Sequence, residues 1–246
     1  MNIFDHAFIV LFAVIYPISG YFSFRKLKRR IAAGAPVNRK HLYDMTIVGH
    51  WALFAIALVL WALLDRAWAD LGFSLVFDAR FFAGTLLTVI GIVFLVVQLR
   101  QVADAGPEYL RDFRSQIESV EMLVPRNGNE LGRFYAVSVT AGVVEETLWR
   151  GFLIWYLAHV MPVWAAAVVS AVGFGVAHAY QGKKNVPKIA AVGAVFVIVY
   201  LVSGSLLLPI VLHAAVDLFQ GRTAYEVVNH PEFNNPADTD GNTVEA

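Results

Sequence analysis

Apolar residues in this chain fall in long blocks, not in the alternating or single-stripe patterns of a soluble fold. Uninterrupted runs mark a first segment from about Ala7 to Phe24, a second from Met45 to Leu64 and a third from Phe81 to Leu99. A fourth runs from Phe134 to Val160, a fifth from Val163 to Tyr180, a sixth from Ile189 to Val202 and a seventh from Leu206 to Phe219. About 20 consecutive apolar residues suffice for a helix to cross a bilayer. The blocks therefore predict an all-α polytopic transmembrane helix bundle of about seven spans. The fourth block exceeds that length, so it is tilted or broken, with Gly142 and Gly151 as places for a bend; splitting it would make eight spans.

The connections carry the orientation. Arg25 to Lys40 holds seven basic residues and no acid, which by the positive-inside rule places that loop in the cytoplasm and the N-terminus outside. Asp65 to Arg80 has three aspartates against two arginines and suits the outer face, while Lys183, Lys184 and Lys188 mark another inner loop. An odd number of spans then leaves the C-terminus inside. The N-terminal run has Asp5 where a signal peptide carries basic residues, so it is expected to stay as a span. Between Arg100 and Arg133 the charges are mixed. Leu110, Phe113, Ile117 and Val120 share one helical face there, predicting an amphipathic helix at the cytoplasmic interface or a solvated connector. Residues 1–220 read as one bundle, with the chemistry in 131–220. Residues 221–246 read as a polar, acidic and disordered cytoplasmic tail.

Composition sharpens this. The chain is 58% hydrophobic and 15% charged, against about 45–50% and about 25% for soluble domains. Nineteen basic residues balance nineteen acidic ones, which gives no electrostatic footprint for nucleic acid. The absence of cysteine excludes disulfides, thiolate metal sites and a cysteine nucleophile.

Ionisable residues inside the apolar blocks then stand out, because each costs roughly 2.5–3.5 kcal/mol at a bilayer centre on insertion scales. The set is Glu145, Glu146 and Arg150 in the fourth block, His178 in the fifth, and His213 with Asp217 in the seventh. Glu146 and Arg150 are four apart and make a structural ion pair, which leaves Glu145 unexplained. His50, in the second block, reads as a structural or interfacial histidine. Acids, imidazoles and a guanidinium on three spans are expected to face one interior cavity. Glutamate beside histidine can deprotonate a water, and a second histidine with an aspartate can stabilise an oxyanion. The same Glu145, His178, His213 and Asp217 are acceptable ligands for a divalent metal such as zinc. A water-activating hydrolase is permitted with or without metal. There is no HExxH, and Ser170, Ser203 and Ser205 lack a nucleophile setting.

Three motifs extend this. EETLWR (Glu145 to Arg150), FGVAH (Phe174 to His178) and HAAVD (His213 to Asp217) follow EExxxR, FxxxH and Hxxx(N/D) patterns in order on successive helices. Together they resemble the CPBP intramembrane proteases, which include the type II CAAX prenyl endopeptidases, over about Leu131 to Gln220. The resemblance implies that Glu145 and His178 activate a water. It implies that His213 and Asp217 stabilise the oxyanion or bind metal, and that Glu146, Arg150 and Phe174 support them. It further implies an endopeptidase of the cell membrane, the inner one in a prokaryote, acting on a membrane-associated or lipidated peptide among membrane lipids. Asp217 departs from the asparagine of the eukaryotic prenyl proteases, and an ionised aspartate cannot donate a hydrogen bond. Other classes compatible with these residues are a proton-coupled transporter or channel and a catalytically silent membrane scaffold.

Overall fold

The computed structural model describes residues 1–103 and 105–233, and among these there is no strand. In chain order the long helices are α1 (Ile3–Ala32), α2 (Arg39–Leu63), α3 (Ala79–Ala103) and α4 (Pro107–Ile117). They are followed by α5 (Gly128–Glu146), α6 (Val163–Ala177), α7 (Val186–Ser203) and α8 (Leu207–Val228). α5 continues through a π-helical segment, Thr147–Leu153, into a final turn at Ile154–Leu157. Each of the seven apolar blocks thus becomes a helix.

Local chemistry sets the ends. Asn2 caps α1 in a reciprocal pair with Asp5, and the side chains of Asn38 and Asn127 cap α2 and α5. Pro107 and Pro187 occupy first-turn positions of α4 and α7, where the missing N–H is no loss. Gly204, in the left-handed region at φ 69°, ends α7.

Four of the helices, α1, α2, α3 and α7 with its preceding turn, are long and apolar enough to cross a membrane. The 15-residue α6 is shorter, about 22 Å at 1.5 Å per residue. α3 shows what the outside of the bundle looks like: Phe82, Leu86, Ile90, Val93 and Val97 form an exposed apolar stripe along it. An aqueous surface rarely tolerates such a stripe. The protein is an integral membrane protein.

α5 is the centre of the bundle, with α8 and α2 packed along it, α6 against its π segment, and α7 filling the space between α6, α8 and α3. The core gathers Phe12, Trp61, Leu148, Trp149, Phe152 and Phe174 around the π segment. Gly151 is there because a Cβ would stand 2.6 Å from the Leu71 carbonyl oxygen, and Gly142 because one would stand 2.9 Å from that of Ile210. Both are close-approach positions. The irregularity expected in the fourth block is the π segment, which takes in Gly151 and leaves Gly142 in regular helix. Ser170 of α6 donates to the Trp149 carbonyl at 2.8 Å and so satisfies a backbone acceptor within it.

One expectation at the polar end is corrected. The amphipathic helix exists as α4, and its apolar face (Leu110, Phe113) and Ile117 seat on Ala224, Val227 and Val228 of α8. Hence the chain beyond Gly221 is not a disordered tail from its start: α8 runs on to Val228, and a 3-10 turn follows at Pro231–Phe233. The physical reason is that α4 offers those residues a partner, which a local reading does not supply. Residues 234–246, the rest of the expected tail, lie outside the described residues. Beside α4, Glu121 accepts from Arg114 at 3.0 Å and Arg126 at 2.8 Å. Burial alone would raise its carboxyl, and these two guanidinium contacts hold it below its ordinary value instead.

At the opposite end Asp5 is fully buried and takes Arg66 in two bonds of 2.8 and 2.7 Å, with Arg66 stacked on Trp155 at 4.3 Å. This pair ties the start of α1 to the α2–α3 connection.

Candidate active site

The ionisable residues separate into two linked clusters, one lining a pocket and one sealed behind it. Adjacent residues of α5, Glu145 and Glu146, diverge on the helix surface because successive residues do not share a face.

The sealed cluster centres on Glu146, which has no exposure. Its Oε1 accepts from Arg150 Nη1 at 2.9 Å and from His213 Nδ1 at 2.7 Å. Arg150 is equally buried and spends Nη2 on the Gly193 carbonyl of α7 at 2.9 Å. Its guanidinium lies 4.4 Å over the Phe174 ring and 5.3 Å over Phe196. His213 stacks on Phe196 with centroids 4.7 Å apart. Its Nε2 faces Asp217 Oδ2, one turn further along α8, at 3.7 Å. Glu146, Arg150 and Phe174 thus clamp four helices at one point. This is the expected ion pair, with His213 added to it.

The second cluster lines a cavity of about 110 Å³ bounded by Phe12, Tyr16, Gly20, Trp149, Tyr180 and the three residues described next. Glu145 projects from α5 into it. His178 comes from the α6 C-terminus, its backbone leaving helical geometry there at φ −91°, ψ 11°. His178 Nδ1 lies 2.8 Å from the Phe174 carbonyl. A carbonyl only accepts, so Nδ1 carries the hydrogen and the neutral ring presents a lone pair at Nε2. That Nε2 faces Glu145 Oε2 at 3.8 Å, longer than a direct hydrogen bond. Glu145 Oε2 is shut from solvent and has no hydrogen-bond partner.

The third pocket residue is one that sequence reasoning set aside. His50 of α2 brings Nε2 to 2.9 Å from Glu145 Oε1, and its Nδ1 lies 2.9 Å from the Thr46 carbonyl and 3.2 Å from the Tyr16 hydroxyl. It is an ionisable group inside an apolar block, the same signal that picked out His178. No motif neighbours it, and only the packing of α2 against α5 reveals its partner.

The structure therefore brings Glu145 and His178 together as expected, while His213 and Asp217 lie behind, outside the pocket lining. The single common cavity becomes a pocket and a buried network. A zinc ion needs donors converging at about 2.0–2.2 Å. Here His213 Nδ1 is taken by Glu146 at 2.7 Å, and its Nε2 faces Asp217 at 3.7 Å. Among the described residues no three His, Asp or Glu stand close enough to hold an ion. In this arrangement the four residues permitted as zinc ligands do not converge on one point.

Residues 127–219 match the family model described as type II CAAX prenyl endopeptidase Rce1-like. No curated protein and no solved structure matches the chain. The matched segment begins at the cap of α5 and ends in α8. It contains Glu145, Glu146, Arg150, Phe174, His178, His213 and Asp217, and leaves out α1, α2 and α3.

Proposed function

We propose that this protein is an intramembrane endopeptidase whose attacking water is held by Glu145 and His178, a reading supported by the match of residues 127–219 to the type II CAAX prenyl endopeptidase Rce1-like family model. The observation that carries the reading is the pair Glu145 Oε2 and His178 Nε2, 3.8 Å apart, with the carboxylate oxygen buried and unpartnered. A water off the line between the two can donate one hydrogen to each, which aligns its lone pair for attack and satisfies both acceptors.

The reaction balances without a metal. Glu145 takes a proton as the water oxygen bonds to the scissile carbonyl carbon, giving a tetrahedral oxyanion. Collapse breaks the C–N bond, and the proton held at the Glu145–His178 pair goes to the leaving amine. Stabilising the oxyanion is the part assigned to His213. Because that residue lies behind the pocket lining, this requires its Nε2 to reach the carbonyl oxygen past that lining. With Nδ1 donating to Glu146, a protonated ring has an Nε2–H free to donate, and Asp217 balances its charge. In this assignment Asp217 need not donate a hydrogen bond itself.

The substrate is a membrane-associated or lipidated peptide, because the apolar walls of the cavity, Phe12, Leu53, Leu148 and Trp149, select an apolar chain next to the reacting bond. Seven spans, with the N-terminus outside, put the Arg25–Lys40 and Lys183–Lys188 loops in the cytoplasm. The pocket lies near that end, where Phe24 and Tyr180 meet ring to ring at 5.2 Å. Substrate then enters from the cytoplasmic leaflet.

The test is cleavage of a lipidated reporter-peptide library by purified protein, with chelator added in parallel. Glu145→Gln is expected to lower kcat by about 10²–10⁴-fold. Cleavage by wild type should survive the chelator. Loss with chelator and recovery with zinc would overturn the metal-free assignment. Equal activity of wild type and Glu145→Gln would overturn the catalytic one.

A further inference from the structure

We propose that His50, from a helix outside the family-matched segment, is a positioning residue that fixes which oxygen of Glu145 reacts. This rests on the reading of Glu145 as the base.

A carboxylate has two equivalent oxygens and rotates about its last bond unless something distinguishes them. In this pocket the two are distinguished. Oε1 accepts from His50 Nε2 at 2.9 Å, while Oε2 has no partner and faces His178 Nε2 at 3.8 Å. Because a carboxylate oxygen only accepts, Nε2 of His50 carries the hydrogen, and Oε1 is committed to it. Oε2 is left as the oxygen available to a water.

His50 is itself held. Its Nδ1 is 2.9 Å from the carbonyl of Thr46, one turn back on α2, and 3.2 Å from the Tyr16 hydroxyl of α1, whose ring meets the imidazole edge-on. His178 likewise has Nδ1 on the carbonyl of Phe174 one turn back, but it donates there alone. His50, donating from Nε2 to the carboxylate, accepts at Nδ1 from the Tyr16 hydroxyl, or donates to Thr46 when both its nitrogens carry hydrogen. Two imidazoles from different helices thus approach Glu145 from two sides, each with Nδ1 against its own backbone and Nε2 toward the carboxylate. One contact is at hydrogen-bond length and the other leaves room for a water. α2 also binds α5 one turn before the glutamate, through Trp51 Nε1 and Thr140 Oγ1 at 3.2 Å, so the two helices are in register at this level.

The consequence is a division of labour. The matched segment supplies the base, its water partner and the buried network, and the N-terminal helices supply the group that orients the base. Orientation to within a few tenths of an ångström governs how often a bound water meets the carbonyl in a reactive geometry.

The experiment compares wild type, Glu145→Ala, His50→Phe and His50→Gln in kcat and KM for a cleaved reporter, with thermal unfolding of each. Phenylalanine keeps the ring and removes the donor, whereas glutamine restores an N–H at about the same reach. The expected result is a fall in kcat of about ten- to hundred-fold in His50→Phe, with KM changed less than about twofold and most of kcat recovered in His50→Gln. If wild type cleaves, Glu145→Ala does not, and His50→Phe cleaves at the wild-type rate, the positioning role is overturned and the protease reading stands. A fall in both His50 variants that tracks a lowered unfolding temperature would likewise overturn it, in favour of a purely structural histidine. If wild type and Glu145→Ala are equally inactive, the protease reading fails and the positioning role fails with it.

Discussion

At the scale of single residues, the buried charges divide by what surrounds them, since Glu145 Oε2, Glu146 Oε2 and Arg150 Nε are all buried without a hydrogen-bond partner. Glu146 Oε1 takes two donors, and Arg150 gives one hydrogen bond to a carboxylate and one to a carbonyl. A group so engaged is structural, because moving it leaves another charge buried and unpaired. Arg150→Met should therefore destabilise the protein by about 3–5 kcal/mol, leaving the Glu146 charge short of a donor. Denaturant or thermal unfolding in detergent would measure this. A variant as stable as wild type would mean that Glu146 is neutral in the folded state. Glu145 also has one oxygen bonded and one unpartnered, but its unpartnered oxygen faces His178 at the pocket, whereas that of Glu146 is sealed in the core. The EExxxR spacing marks both acids in the sequence. That they serve different clusters follows from their different helix faces, and which is the free one depends on α2 and α8.

At the scale of elements, the two π-helical segments, Leu11–Ile15 and Thr147–Leu153, both border the pocket. The first leads directly into Tyr16, and the second carries Leu148 and Trp149 into the pocket wall. A π turn widens the helix by one residue and re-aims the side chains after it, a device found often at functional sites. The second segment is kept in place by a close backbone approach at Gly151. Gly151→Ala would put a Cβ 2.6 Å from the Leu71 carbonyl oxygen. The expected outcome is a loss of about 1–3 kcal/mol in stability, with kcat falling more than KM rises as Trp149 shifts, read from unfolding and steady-state kinetics together. Unaltered stability would show that the α2–α3 connection yields easily.

At the scale of the whole molecule, hydropathy and function pull against each other. α1, α2 and α3 are apolar enough to count as spans by composition, as is α7 with its preceding turn. The site-bearing helices α5 and α8 carry the very charges that lower their hydropathy, and α6 is short. Counting apolar helices therefore gives fewer crossings than the loop charges predict. The cysteine-free chain makes this testable by single substitutions. Leu75→Cys, in the α2–α3 connection, should react with a membrane-impermeant maleimide on intact cells, and Ala33→Cys, at the end of α1, only after lysis. The reverse pattern would invert the orientation and place the pocket near the other leaflet.

Long apolar blocks alone determined the helices of this protein and their approximate ends, since an apolar run satisfies its backbone hydrogen bonds within its own helix, which is a local requirement. The three spaced motifs marked the residues proposed to bear chemistry, because an ion pair four residues apart and a histidine in an apolar run are legible without a partner. Only the tertiary structure decided that these residues form two clusters instead of one cavity. It also decided that α4 folds back on α8 and that His50 reaches Glu145. Those outcomes depend on which helix faces meet across separations of up to about a hundred residues, as between His50 and Glu145. Hydrogen bonds and packing between distant segments set such meetings, and neither leaves a periodic signal in the chain.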